Sequence, residues 1–184
     1  MYPQMEILET KNCILRPITL DDTEDLYEYY SIPEVVKYLP IKVHQTYSDT
    51  RRFIKAFFLN NYQKGKIGHY AVVLKNENKV IGNVGFNNIY PHAHGGEMGI
   101  CINPNYWGYN LSFELAQVLI DYAFNILNLE YVYAVTYNDN VYSKKPLDKL
   151  NFIHESDFNK KFKNYNNQIV KCNKFVLYKN NYTK

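Results

Sequence analysis

Over residues 112–127 apolar side chains return every third or fourth position. Leu115, Val118, Leu119, Tyr122 and Ile126 share one face and Glu114, Gln117, Asp121 and Asn125 the other, which predicts a long amphipathic helix. The same period in Phe53, Ile54, Phe57 and Phe58 predicts a helix from Thr46 or Ser48 to about Tyr62, stopped by Gly65. Earlier in the chain, Thr19 is placed to cap a helix with Asp21, Asp22 and Glu24 in its first turn and Leu20, Leu26 and Tyr30 as its apolar stripe. Pro33 opens a short helical turn through Val35, Val36 and Tyr38. Elsewhere the pattern is that of strands. Two short pieces lie within residues 5–17, the second being Cys13-Ile14-Leu15-Arg16-Pro17. Residues 69–74 and 80–88 are joined by the turn Asn76-Glu77-Asn78, and residues 97–102 follow the loop Pro91-His92-Ala93-His94-Gly95-Gly96. After the long helix come a strand over Tyr131–Thr136, a helix near 140–150, a strand from Phe152 and a closing strand Ile169–Tyr178.

This order predicts an α/β (α+β) fold. A strand, helix, strand run requires a parallel pair with a crossover, so strands 97–102 and 131–136 are expected side by side and diverging. Ligands of such sheets lie beyond the carboxyl ends of the strands, where residues 103–112 are found. That segment runs straight into the long helix. A helix start leaves backbone N–H groups unpaired and carries partial positive charge, so a tight loop before it suits phosphate oxygens.

Composition narrows the class. At 184 residues, 46% hydrophobic and 21% charged, the chain is long enough for one domain burying about 70% of its unfolded surface. No repeat or linker argues for a second, so residues 1–184 are read as one domain. The net charge of +3 suits an anionic ligand, but the Lys residues are scattered and no nucleic-acid motif is present. The densest basic run, Lys160-Lys161-Phe162-Lys163, is read as a solvated loop between strands. Cys13, Cys101 and Cys172 lie far apart in strands and read as small buried residues. The start of the chain shows no basic region followed by an apolar run, and no stretch approaches eighteen apolar residues, so a cytoplasmic protein without a membrane partner is expected. His92 and His94 lack a third ligand nearby, and no metal is expected.

Four stretches carry a resemblance: Leu15-Arg16-Pro17 with Thr19-Leu20-Asp21-Asp22; Val80-Ile81-Gly82-Asn83-Val84-Gly85-Phe86; Glu97 through Glu114; and Asn140-x-x-Ser143 with Leu147-Asp148-Lys149-Leu150-Asn151-Phe152. In order and spacing, over roughly residues 7–180, they resemble the GNAT acetyltransferase superfamily, specifically the branch of ribosomal-protein N-terminal acetyltransferases (RimJ/RimL-like). The resemblance implies a mixed, mostly antiparallel sheet of six to seven strands, with a parallel pair splayed into a cofactor cleft and about four flanking helices. It also implies acetyl-CoA as co-substrate and a primary amine as acceptor: a protein N-terminus, a polyamine, an amino acid or an amino sugar. Either a monomer or a homodimer is compatible with it.

In relatives the pyrophosphate of acetyl-CoA lies on a loop of pattern Gln/Arg-x-x-Gly-x-Gly/Ala, with Trp common at the first position in this branch. The corresponding residues are Trp107, Gly108, Tyr109, Asn110, Leu111 and Ser112. Asn110 and Ser112 replace the small residues, and Asn151 replaces a Gly before Phe152. Asn is the side chain that best tolerates left-handed backbone, so the turns are expected to survive. Pro146 is a further departure. If Ser143 is the cap, the helix starts late and Pro146 falls in its first turn, which moves Asn140 and Ser143 into a loop.

Acetyl transfer to an amine needs a base, a polarised carbonyl and a protonated leaving thiolate. Glu97 is the candidate base, against the plainer reading of an exposed strand-end charge. The resemblance assigns carbonyl polarisation to a backbone N–H at Cys101 or Ile102, where the pantetheine arm pairs with the strand. It places Asn140 at the cofactor and Ser143 as the acid, with Tyr142 as the adjacent alternative and helix capping as the plain reading of Ser143. Trp107 and Tyr106 are read as packing at the base of the loop, and Tyr29, Tyr30, Tyr38 and Phe86 as core. A scaffold that binds CoA or peptide without turnover is the alternative function.

Overall fold

The computed structural model describes residues 5–161 and 168–183. Two short strands, β1 (Leu8–Glu9) and β2 (Cys13–Pro17), lead into α1 (Thr23–Tyr30) and α2 (Pro33–Val36). Thr19 and Asp22 cap each other across the turn that starts this helical run, and Asp22, buried, takes both guanidinium nitrogens of Arg16 at 2.9 and 2.6 Å. A second capping box, Thr46 with Asp49, opens α3 (Tyr47–Phe53), which continues through a π-helical stretch (Ile54–Leu59) into α4 (Asn60–Gln63).

Strands β3 (His69–Leu74), β4 (Lys79–Tyr90) and β5 (Gly95–Ile102) form the meander. Helix α5 (Leu111–Asn125) crosses over to β6 (Tyr131–Tyr137), followed by α6 (Val141–Lys149), β7 (Ile153–Lys161) and β8 (Ile169–Tyr178). One sheet holds all eight strands in the order β1-β2-β3-β4-β5-β6-β8-β7. Every neighbouring pair is antiparallel except β5 and β6.

The sheet is one mixed layer between two cores. On one face Leu115, Leu119, Ile120, Ala123 and Phe124 of α5 pack with Phe86, Val132 and Leu177. On the other, Leu26, Tyr29 and Tyr30 of α1 pack with Ile54, Phe58 and Ala71. The fold class is the one expected; among the described residues there are eight strands rather than six to seven, and five helical bodies rather than about four when α3 to α4 is taken as one rod. Among the described residues no helix is long and apolar enough to cross a membrane.

Several local expectations are corrected. Ile126 lies past the end of α5 and is exposed, while Ile120, Ala123 and Phe124 are buried in its place. Lys160 and Lys161 belong to β7 rather than a loop; Phe162 and Lys163 lie outside the described residues. The three cysteines, as expected, are buried free thiols.

Candidate functional site

The parallel pair opens partway along its length. Gly95 to Met98 of β5 stand opposite Tyr131 to Ala134 of β6, and the pairing stops there. Beyond it, β5 continues against β4 as far as Ile102, and β6 continues against β8 as far as Tyr137. The Asn103 N–H donates to Ile81 O at 2.8 Å, which fixes the alternation of the β4–β5 ladder. Amides at Gly99 and Cys101 therefore face β4, and those at Ile100 and Ile102 face the opening. Of the two expected donors, Cys101 is thus turned away and Ile102 faces the cleft. Burial pushes the Cys101 thiol up to about 12, so it stays a neutral packing residue.

The loop after β5 is pinned at its start. Asn103, fully buried, accepts from the Asn105 N–H at 3.1 Å and donates to Glu28 at 3.0 Å. Glu28 in turn pairs with Lys79 at 2.5 Å, and that ammonium holds its carboxyl below the usual range. Gly108 and Asn110 then take positive φ, +91° and +60°, and Leu111 buries its side chain to seat the first turn of α5. The backbone reversal predicted for Asn110 is present, as it is at Asn151 with φ +61°. Among the described residues, the five amides of Gly108, Tyr109, Asn110, Leu111 and Ser112 have no hydrogen-bond acceptor; the first bonded N–H groups are those of Phe113 and Glu114, both on Asn110 O. Such a run of free donors at the start of a fifteen-residue helix favours an anion. Glu114, the acidic residue of that turn, is engaged elsewhere, accepting from Asn12 N and Nδ2 at 2.8 and 2.7 Å.

Across the opening, α6 does not start late. Asn140 is its cap, accepting from the Ser143 N–H at 3.3 Å, so Pro146 is the sixth residue of the helix, inside it. The bond lost at Pro146 is the one to Tyr142 O. Tyr142 is 69% exposed, so water is at hand for that carbonyl, and the helix carries the defect together with its Asn140 cap. Ser143 Oγ donates to Asn140 O at 3.0 Å. Trp107 is not packed under the loop: it is half exposed, donates from Nε1 to Ile102 O at 2.8 Å and stacks on Tyr142 at 6.2 Å. Tyr106 packs against the core, its hydroxyl on Glu77 at 2.5 Å.

Glu97 lies one residue before the last pair of the parallel ladder, opposite Tyr133. Its Oε1 accepts from Asn87 Nδ2 at 3.1 Å and its Oε2 from Tyr133 OH at 3.2 Å, which sets it apart from a free strand-end charge. Burial above all, with Tyr90 and Glu97 beside it, raises the Tyr133 phenol and keeps it a donor. Tyr29, Tyr30 and Phe86 are core, as expected. Tyr38 is not: its ring meets Tyr137 edge-on at 6.0 Å and its hydroxyl reaches Asp139 O at 3.5 Å. His69, Asn83, Asn87, Tyr90 and Tyr133 escaped the sequence reading. A signal was present for Asn83 alone, which interrupts the apolar run Val80–Phe86, since a buried amide must find a partner; the exposed Asn87 carried none. Among the described residues no cluster of three His, Cys, Asp or Glu could hold a metal ion.

A family model for the acetyltransferase (GNAT) domain matches residues 12–153. The chain is similar to the uncharacterized N-acetyltransferase p20 of Bacillus licheniformis, 35% identical over 152 residues that cover 82% of this chain and 84% of the relative. It is similar in structure to a GNAT-family acetyltransferase from Bacillus anthracis, with TM-score 0.80 and 25% identity, covering 94% of this chain and 98% of that one. It shares its fold with RimL, the ribosomal L7/L12 alpha-N-protein acetyltransferase, in complex with coenzyme A; there the TM-score is 0.78 and identity 16%, covering 96% of this chain and 99% of that one.

Proposed function

The chain belongs to the acetyltransferase (GNAT) family, and on that premise we propose that it moves an acetyl group from acetyl-CoA to a primary amine by direct transfer. The observation that carries this reading is the run of five unpartnered amides from Gly108 to Ser112 at the mouth of the β5–β6 opening. They suit the diphosphate of CoA, Trp107 and Tyr109 flank it, and the edge of β5 at Ile102, beside Cys101, suits the amide groups of a pantetheine arm.

In the proposed reaction the amine lone pair attacks the thioester carbon and its proton passes to Glu97. The tetrahedral intermediate then collapses with cleavage of the C–S bond; the thiolate takes the Ser143 hydroxyl proton, otherwise donated to Asn140 O, as Ser143 draws a proton from water, and Glu97 releases its own to solvent. A thiol pKa near 8.5 makes the thiolate a tolerable leaving group, so Ser143 is worth less than the base. The acceptor we favour is a protein N-terminus, supported by the resemblance in the sequence and by the fold shared with RimL. The engagement of Ser143 also supports a second reading, a module that binds CoA without turnover.

One experiment separates the two readings. The protein is incubated with acetyl-CoA and a pool of peptides bearing free N-termini, free thiol is followed, and the peptides are weighed by mass spectrometry. Thiol release with a matching gain of acetyl mass is the expected result. Saturable CoA binding without thiol favours the module, and no CoA binding removes both.

A further inference from the structure

Glu97 stands at the end of a hydrogen-bonded chain that runs through the α1 face of the sheet. Tyr29 OH and Tyr30 OH reach Asn83 Oδ1 at 2.9 and 2.8 Å, Asn83 Nδ2 reaches His69 Nδ1 at 2.9 Å, and His69 Nε2 reaches Asn87 Oδ1 at 3.0 Å. Asn87 Nδ2 then meets Glu97. A carboxylate only accepts, so Asn87 must turn its amide nitrogen to Glu97 and its oxygen to His69. That oxygen requires a proton on Nε2, which leaves Nδ1 to accept from Asn83 and leaves Asn83 Oδ1 to the two phenols. One ionised group thus sets the direction of every bond in the chain.

Three features of the surroundings serve this contact. Asn87 is the extra residue of a β-bulge: Phe86 stands opposite Met98 and Asn88 opposite Glu97, with Asn87 unpaired between them. Bulges re-aim a side chain, and here the side chain is aimed at both His69 and Glu97. Its side chain lies over Gly99, where a Cβ would lie 3.1 Å from both polar atoms of the Asn87 amide and 3.2 Å from His69 Cε1. His69 itself packs against the neighbouring rings of Phe57 and Phe58, each 5.8 Å away, and is buried.

We propose that Asn87 and His69 are positioning residues that fix the Glu97 carboxylate at the start of the strand splay, so that it presents its remaining lone pairs to the incoming amine. The inference rests on the reading of Glu97 as base. Both carboxylate oxygens are tethered, Oε1 through the chain and Oε2 by Tyr133, yet each keeps a lone pair. A side chain with free rotamers becomes a preorganised acceptor without losing access to the cleft.

Asn87 is exposed, so its variants are expected to fold. The first measurement does not need turnover: nitrogen NMR of the His69 ring at pH 7, in the wild type and in Asn87→Ala. A single Nε2–H tautomer in the wild type, lost to exchange in Asn87→Ala, supports the chain; an Nδ1–H ring overturns it. The second measures steady-state rates with acetyl-CoA and the free-N-terminus peptide pool for Asn87→Ala, Asn87→Gln and Glu97→Gln. The expected result for Asn87→Ala is kcat lowered tenfold or more with KM for acetyl-CoA changed less than twofold, and partial recovery in Asn87→Gln. If Glu97→Gln lowers the rate while Asn87→Ala does not, the positioning role fails alone. If Glu97→Gln itself has no effect, the reading of Glu97 as base fails.

Discussion

Asn110 at φ +60° and Asn151 at φ +61° show how a residue type can hold a backbone shape in place of glycine. The left-handed well costs most side chains about 1–2 kcal/mol, and Asn, whose short amide bonds locally, pays least. Asn110→Gly is therefore expected to bind CoA as well as or better than the wild type. Asn110→Val should weaken binding about tenfold, because a β-branched residue resists positive φ; calorimetric titration with CoA reads both, and equal affinity in all three chains would remove this account. Those two positions were legible because their conformation is a property of one residue. The Glu97 chain was not, because its partners are joined only when β3, β4 and β5 pair and the bulge at Asn87 forms. His69 carries a further consequence. Burial pushes its imidazole down to about 4, so between pH 6.5 and 4 the unfolded chain binds a proton that the native protein does not, and stability falls as pH drops through that window. The loss is at most about 3 kcal/mol by the linkage relation. Urea unfolding at pH 7, 5.5 and 4.5 should show a shallower decline in His69→Gln, and parallel declines would contradict the assignment.

At the scale of elements, α6 holds a conflict between its start and its middle. The Asn140 cap stabilises a helix beginning at Val141, while Pro146 removes one bond within it and presses on the turn before. Pro146→Ala restores a donor for Tyr142 O, at the cost of a less restricted unfolded chain. A net gain of about 1–3 kcal/mol in chemical denaturation is expected, with Ser143 still capped; a loss would mean that the Pro shape is required by packing. The sequence pointed to the helix but not to its start, since the strength of a cap against a mid-helix Pro is a balance of energies rather than a pattern. Strand ends were missed for a different reason. Gly95 and Gly96 read as loop because they offer no side chain, yet a Cβ at Gly96 would stand 3.0 Å from Leu129 and 3.1 Å from Phe86. A side chain at either position would run into its neighbours, Tyr131 at Gly95 and Leu129 and Phe86 at Gly96, and such a requirement leaves no period in the chain.

At the scale of the molecule, the legible part was the order of elements, which by itself demands a parallel pair and a crossover and so locates the opening. What the order did not convey is how the two arms of the opening are tied. Trp107, on the loop after β5, stacks on Tyr142 of α6, and Tyr38, after α2, meets Tyr137 and Asp139 at the end of β6. A ligand held by both arms joins the two halves of the sheet, and the native state gains RT ln(1 + [L]/Kd), about 2.7 kcal/mol at a hundredfold excess over Kd. For a chain of this length about 2–4 °C accompanies each kcal/mol, so saturating CoA should raise Tm by about 5–10 °C. Trp107 is the single tryptophan in the sequence, so its emission reports this place alone. Its spectrum should shift with the same midpoint as the thermal gain, because CoA entering the opening must cover or part the Trp107–Tyr142 stack. Tyr142→Ala should alter the emission of the free protein while keeping most of the thermal gain, since the amides of residues 108–112 do not depend on that ring. A thermal gain with unchanged tryptophan emission would put the coenzyme elsewhere on the molecule, and an unchanged Tm at saturating CoA would mean that the free amides at the start of α5 serve another anion.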